Sequence, residues 1–209
     1  MRVLSFDRYF SPYLLDISCG IRSIRHQREQ VVPLVYGHIL EVGIGTGLNL
    51  PHYDPLKVKT IIGLDPAQAL QRLALKRVQH SGLAVELLVH SAEQLPFAAA
   101  QFDCILITYT LCTISDPLAA LREMRRVIKP SGKLVFCEHG RAPNLRISRW
   151  QDRLTPYWQW LAGGCHLNRD IPALLQATGW ICPELHTPVL PGPRVLAYHY
   201  WGEAFPGKK

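Results

Sequence analysis

The sequence predicts a doubly wound α/β fold, with a mostly parallel, seven-stranded sheet covered by helices on both faces to give three layers. Three observations lead there. Apolar runs of strand length recur at 38–42, 60–64, 85–90, 102–108 and 133–138, helix-like stretches separate them, and a glycine-rich turn, Gly43-Ile44-Gly45-Thr46-Gly47, closes the first run. Strand alternating with helix is the pattern of βαβ units, whose right-handed crossovers place helices on both faces of a parallel sheet. A chain of 209 residues, 48% of them hydrophobic, can bury one such core. No repeat, low-complexity tract or linker divides it, so one domain is expected.

The segment 1–37 carries Tyr9, Phe10, Tyr13, Leu14, Leu15 and Ile17, followed by Arg22, Arg25 and Arg28. It reads as a helical segment covering a ligand, with an amphipathic surface helix touching anionic lipid as the rival. The core occupies 38–140. Within it, a helix at 67–80 turns Leu70, Leu73, Ala74 and Val78 inward and stops at Gly82. A second helix opens at Asp116-Pro117, aligns Leu118, Leu121, Met124, Val127 and Ile128, and is stopped by Pro130 and Gly132. The remainder, 141–209, holds an aromatic insertion (Trp150, Tyr157, Trp158, Trp160), a helix at 168–178 capped by Asn168, and strands at 180–186 and 194–201 around a proline-rich turn.

Composition narrows the function. The net charge of +7 concentrates in two arginine groups, before the first strand and at Arg141, Arg146, Arg149 and Arg153, which read as solvated helix faces. No apolar run approaches the roughly 20 residues that cross a bilayer, and no signal peptide is expected, so the sequence reads as a cytoplasmic protein. The six cysteines form no C-x-x-C pair, so reduced thiols and no metal site are expected; Cys104, Cys112 and Cys137 lie in or beside apolar runs and read as small hydrophobes.

The glycine turn stands at the carboxyl edge of the first strand, where open α/β sheets bind ligands. A dinucleotide loop would read G-x-G-x-x-G, but Leu48 fills the last position and Gly47 comes one residue early. Glu41, beside the loop, would repel a pyrophosphate and suits a cationic ligand. Asp65 ends the second strand 22 residues after Gly43, where a carboxylate can accept from both hydroxyls of a ribose; a plain helix cap is the alternative.

The blocks LEVGIGTG, GLDPA, SAEQLPF, FDCILITYTL and LREMRRVIKPSGKLVF, in this order and spacing, resemble the class I S-adenosylmethionine methyltransferases, which have a Rossmann-like fold, and cover about half the chain. The resemblance implies S-adenosylmethionine as cofactor, with the methionine part at Glu41, Gly43, Gly45 and Gly47 and the ribose at Asp65, beside Pro66. It implies adenine at Ser91, Ala92 and Glu93, and the methyl group facing Thr108 and Tyr109.

PYLL, TLC at 110–112, EH at 138–139 and GCHLNRD at 164–170 are similar to the methyltransferase-like protein 7 group, whose members methylate alkyl thiols. Ile44 stands where that group usually has cysteine, and the group's N-terminal membrane-anchoring helix has no counterpart, which argues against a membrane-embedded protein. A thiol reacts as its thiolate, so a cation or base near the acceptor helps; His139 and His166 are the expected catalytic residues, with loop-holding roles as the alternative. The expected acceptor is a small hydrophobic molecule, a thiol first and a quinone precursor or phospholipid amine next. A non-catalytic cofactor-binding domain is a further alternative. Nucleic acid is not expected as a partner, since no Asn-Pro-Pro-Tyr or Pro-Cys block is present.

Overall fold

The computed structural model describes residues 6–207. Two helices, α1 (Phe6–Cys19) and α2 (Arg22–Val31), lead into β1 (Gly37–Val42). The core continues as β2 (Val58–Leu64), α3 (Gln68–Ser81), β3 (Val85–Leu88), β4 (Phe102–Thr108), α4 (Pro117–Val127) and β5 (Ile128–His139). The chain ends with α5 (Leu145–Leu161), α6 (Ile171–Ala177), β6 (Trp180–Ile181), β7 (Leu185–His186) and β8 (His199–Pro206). Side chains are described from Tyr13 onward, so the apolar roles expected for Tyr9 and Phe10 lie outside the described residues.

The strands run in the order β3-β2-β1-β4-β5-β8-β6, with β7 attached to β8. Pairs from β3 through β5 are parallel, and β8 lies antiparallel to β5, matching His139 with His199 and Leu134 with Ala204. The expected seven-stranded path is present, and β7 makes an eighth strand. Period-two alternation divides the core between the two faces. Leu40, Val42, Ile105, Ile107, Leu134 and Phe136 pack with Leu121, Met124 and Val127 of α4. Ile39, Cys104, Leu106, Val135 and Cys137 pack on the other face with Val31 and Val32.

Four expected boundaries move, each for a local reason. Helix α4 ends at Val127, ahead of Pro130 and Gly132, but Ile128 already belongs to β5, which starts before the expected residue 133; its pairing with β4 shifts register between Phe102 and Cys104 and so accommodates Pro130, a residue without an N–H. The cap of α6 is Asp170, whose carboxylate accepts from Ala173 N at 3.1 Å, while Asn168 donates instead to Asp152. The single strand expected at 180–186 is the two short strands β6 and β7. The strand expected at 194–201 begins only at His199, because turn bonds from Leu196 N to Pro193 O and from Ala197 N to Arg194 O occupy the preceding residues. The aromatic insertion is the helix α5, and Trp150, Tyr157 and Trp160 are exposed on it. No helix among the described residues is long and apolar enough to cross a membrane.

Candidate active site

The strand order reverses between β1 and β4, and the loops leaving their carboxyl ends diverge there to frame a cavity of about 580 Å³. Gly43, Gly45, Asp65, Pro66, Ser91, Ala92, Glu93, Thr108 and Tyr109 all line it. Glu41, Gly47, His139 and His166 are not among the lining residues.

The first loop is shaped by contact. Gly43 has φ +75, and a Cβ built on it would lie 2.1 Å from the Thr110 hydroxyl, so only glycine fits between β1 and the loop after β4. Gly63 of β2 likewise leaves the space into which the Ile44 side chain packs, and Ile44 is buried. Asp65 ties this loop to the end of β2: its Oδ2 accepts from Gly45 N at 3.0 Å and its Oδ1 from Ala67 N at 2.8 Å. The side chain is therefore more than a cap, and a carboxylate has further lone pairs for a ligand on the cavity side. Burial raises its pKa above the ordinary aspartate value.

Behind the wall lies a polar chain that periodicity alone did not reveal. Arg28 is only 5% exposed and is no part of a solvated face. Its Nη1 donates to Asn49 Oδ1 at 2.7 Å and to Thr108 Oγ1 at 2.6 Å, and its guanidinium lies 5.1 Å from the Tyr109 ring centroid. Asn49 passes the chain on by donating to Glu41 at 2.8 Å, and Tyr53 donates to the other Glu41 oxygen at 2.7 Å. Burial pushes the Glu41 carboxyl up to about 7, against these two donors and Arg28. Arg28 itself reaches the cavity wall. Arg28 lies three and four residues before the buried Val31 and Val32 and shares their inward face.

Helix α1 borders the same cavity through Leu15, Asp16 and Cys19. Arg77 fixes it there by donating to both Asp16 oxygens, at 2.8 and 3.0 Å, and to Thr46 O at 2.7 Å. On the side of Ser91, the Ser91 hydroxyl donates to Glu93, which also accepts from Asp116 N at 3.4 Å.

The loop after β4 rests on Glu138. Its Oε1 accepts from Thr110 N at 2.7 Å and Leu111 N at 3.0 Å, while Oε2 is buried without a partner among the described residues, and burial pushes the group up to about 7. Tyr109, in the left-handed region at φ +53, carries its hydroxyl 3.2 Å from His199 Nδ1. Burial, with His139 nearby, holds His199 down to about 4, so it is neutral at pH 7.

The two histidines expected to serve the acceptor sit one layer back. His166 Nδ1 lies 2.9 Å from Cys112 O and holds the loop. His139 Nε2 lies 3.0 Å from Cys165 Sγ, which also receives Trp158 Nε1 at 3.4 Å. Cys112, His139 and Cys165 together bring their donor atoms within 4.8 Å of one another. Hydrogen bonds from Cys112 and His139 hold the Cys165 thiol well below the usual thiol range, against the effect of burial. Cys112 is buried, as its apolar surroundings predict, and it also takes part in this convergence. The convergence was not legible in the sequence, because the three residues come from separate segments with no short ligand spacing.

Residues 40–136 match the family model described as a methyltransferase domain. These residues resemble a methyltransferase domain. The chain is 31% identical over 136 residues to thiol S-methyltransferase TMT1B of Rattus norvegicus, a match covering 63% of this chain and 55% of that protein. It is 33% identical to thiol S-methyltransferase TMT1A of Homo sapiens over a match of the same extent. The chain thus spans about half the length of these relatives. A SAM-dependent methyltransferase of Thermotoga maritima superposes with a TM-score of 0.66 at 23% identity, covering 96% of this chain and 97% of that one. The domain match and the superposed doubly wound architecture agree with the resemblance drawn from the five sequence blocks.

Proposed function

We propose that the chain methylates the sulfur of a small hydrophobic thiol with S-adenosylmethionine as donor. The observation that carries this reading is the make-up of one wall: the Gly43 cradle, the Asp65 carboxylate and the buried Arg28 cation border a single cavity at the sheet's switch point. These residues fit the donor. Asp65 suits ribose hydroxyls, Arg28 suits an amino-acid carboxylate, and the space that a Cβ on Gly43 would fill is left for close approach of the ligand. When bound, the donor supplies an electrophilic methyl on a sulfonium. The protein's task is then mainly positioning, which in the best intramolecular models is worth about 7–11 kcal/mol.

Glu41 acts through its neighbours in this reading, fixing Asn49 and Tyr53 behind the wall and adding negative charge near the ligand's ammonium. Helix α1 covers the donor. Exposed Leu14 and Ile17 of α1 and Trp160 and Leu161 of α5 flank the cavity-lining Leu15, Ala162 and Gly163, and this apolar rim supports a hydrophobic acceptor. The same rim suits transient contact with an anionic lipid surface from the cytoplasm. Thiols come first among acceptors because both relatives named above carry that activity in their names.

The test is S-adenosylhomocysteine production with a panel of alkyl thiols, amines and quinone precursors. Turnover confined to thiols is expected; turnover confined to amines or quinone precursors overturns the assignment. The ribose role has its own test. Asp65→Ala removes a charged acceptor worth about 1.5–3 kcal/mol per bond, so S-adenosylhomocysteine affinity is expected to fall about 10- to 100-fold. Calorimetric titration of the folded variant checks this, and unchanged affinity would leave Asp65 as a loop tie only.

A further inference from the structure

Two sulfurs and one imidazole nitrogen converge beside the cavity without any role in lining it. The donors come from the loop after β4 (Cys112), the end of β5 (His139) and the loop after α5 (Cys165), and lie within 4.8 Å of one another. Hydrogen bonds outside the cluster hold the two loops together independently of the three side chains' own contacts. His166 N donates to Cys112 O at 2.8 Å, and Arg169 Nη2 donates to Ile114 O at 2.7 Å, so the two loops are clamped before the side chains meet. Thr113 and Ile114 on one loop and Ala162 and Gly163 beside the other are cavity walls, so the cluster sits at their junction.

Chemistry selects among ligands. Two thiolates and an imidazole match zinc, whereas magnesium and calcium require oxygen donors. A tetrahedral zinc with bonds of about 2.3 Å to sulfur and about 2.0 Å to nitrogen needs donor separations of roughly 3.5–3.8 Å. That falls inside the observed limit of 4.8 Å, and the His139–Cys165 contact of 3.0 Å must open by only about half an ångström. Three protein ligands leave the fourth position to water or substrate, as in catalytic rather than structural zinc sites.

We propose that Cys112, His139 and Cys165 bind a zinc ion whose fourth position takes the sulfur of the acceptor thiol. The thiol coordinates as its thiolate and its proton leaves to solvent. The second half of this proposal rests on the thiol methyltransferase reading; the first half does not. His139 is then a ligand rather than the general base that its place in the sequence suggests.

The experiment uses the full chain, reduced and reconstituted with zinc or cobalt(II). Stoichiometric metal is expected, with sulfur-to-cobalt charge-transfer absorption that intensifies on adding 2-mercaptoethanol, as a third sulfur joins. Cys112→Ser, Cys165→Ser and His139→Ala are expected to lose stoichiometric metal, and Cys182→Ser, remote from the cluster, to keep it. The cobalt spectrum of the unmodified chain decides the matter even if a variant fails to fold. Absence of bound metal in the reduced chain overturns the site, as does stoichiometric Cys112–Cys165 disulfide formation with glutathione disulfide that zinc does not suppress. Metal binding with no spectral response to 2-mercaptoethanol overturns the open position. Thiol methylation that persists unchanged after zinc removal overturns the zinc role and leaves the methyltransferase reading standing. Bound zinc with no turnover of any thiol does the reverse.

Discussion

Gly43→Ala is expected to lower S-adenosylhomocysteine affinity by about 100-fold or more and to reduce the melting temperature. The added methyl would meet three Thr110 side-chain atoms at 2.1, 2.3 and 2.7 Å, all too close for a real contact. Thr110 cannot easily withdraw, since its N–H is bonded to the buried Glu138 at 2.7 Å. Overpacking of this kind costs about 1–3 kcal/mol, and holding alanine at φ +75 adds a similar amount. Calorimetry and thermal unfolding of the variant check both effects. Gly43→Ala combined with Thr110→Gly should recover part of the loss, because the contacted atoms are gone while the backbone strain remains. A double variant no better than the single one would show that the Thr110 contact is not the cause.

Arg28→Met is the second large expectation, and it should separate binding from stability. Among the described residues no carboxylate is hydrogen-bonded to Arg28; Asn49 stands between it and Glu41. A buried cation with no hydrogen-bonded carboxylate carries a desolvation cost that its neighbours offset only in part, so an apolar side chain of similar length is expected to hold or raise the unfolding midpoint. Affinity for S-adenosylhomocysteine should nevertheless fall about 10- to 100-fold, the scale of one hydrogen bond between charged groups. The control ligand is 5′-methylthioadenosine, which has the nucleoside but no amino-acid carboxylate, and its affinity should barely change. Equal losses for both ligands would remove Arg28 from the carboxylate role and make it a general support of the wall.

The parallel half of the sheet was legible because buried strands write themselves as continuous apolar runs, as in 102–108, where every residue but Asp103 is buried. The antiparallel half was legible only in part, since strands were expected at 180–186 and 194–201 but the last one runs on to Pro206. Strand β8 spells His-Tyr-Trp-Gly-Glu-Ala-Phe-Pro, and its inward positions include Gly202 and Ala204, which carry too little apolar signal to mark a strand. The glycine loop and Asp65 could be placed on the cavity from order and spacing alone. Arg28 could not, because a basic helix looks the same in sequence whether one arginine turns inward or all face water. His139 was correctly placed at the ligand edge of the sheet, but the direction of its ring depends on Cys165, far along the chain. Seeing that pairing requires the fold.

The antiparallel seam between β5 and β8 bears on how the molecule is made. Five parallel strands can assemble once β5 has left the ribosome, yet the flank of β5 that β8 will occupy then stands open, along Leu134 to His139. Its partner emerges only after α5, α6 and the two short strands have been synthesised. During that interval an unpaired, largely apolar strand edge is the natural place for two nascent chains to join, and a truncation before His199 would make the vulnerability permanent. The last strand therefore acts as the seal on a nearly finished sheet.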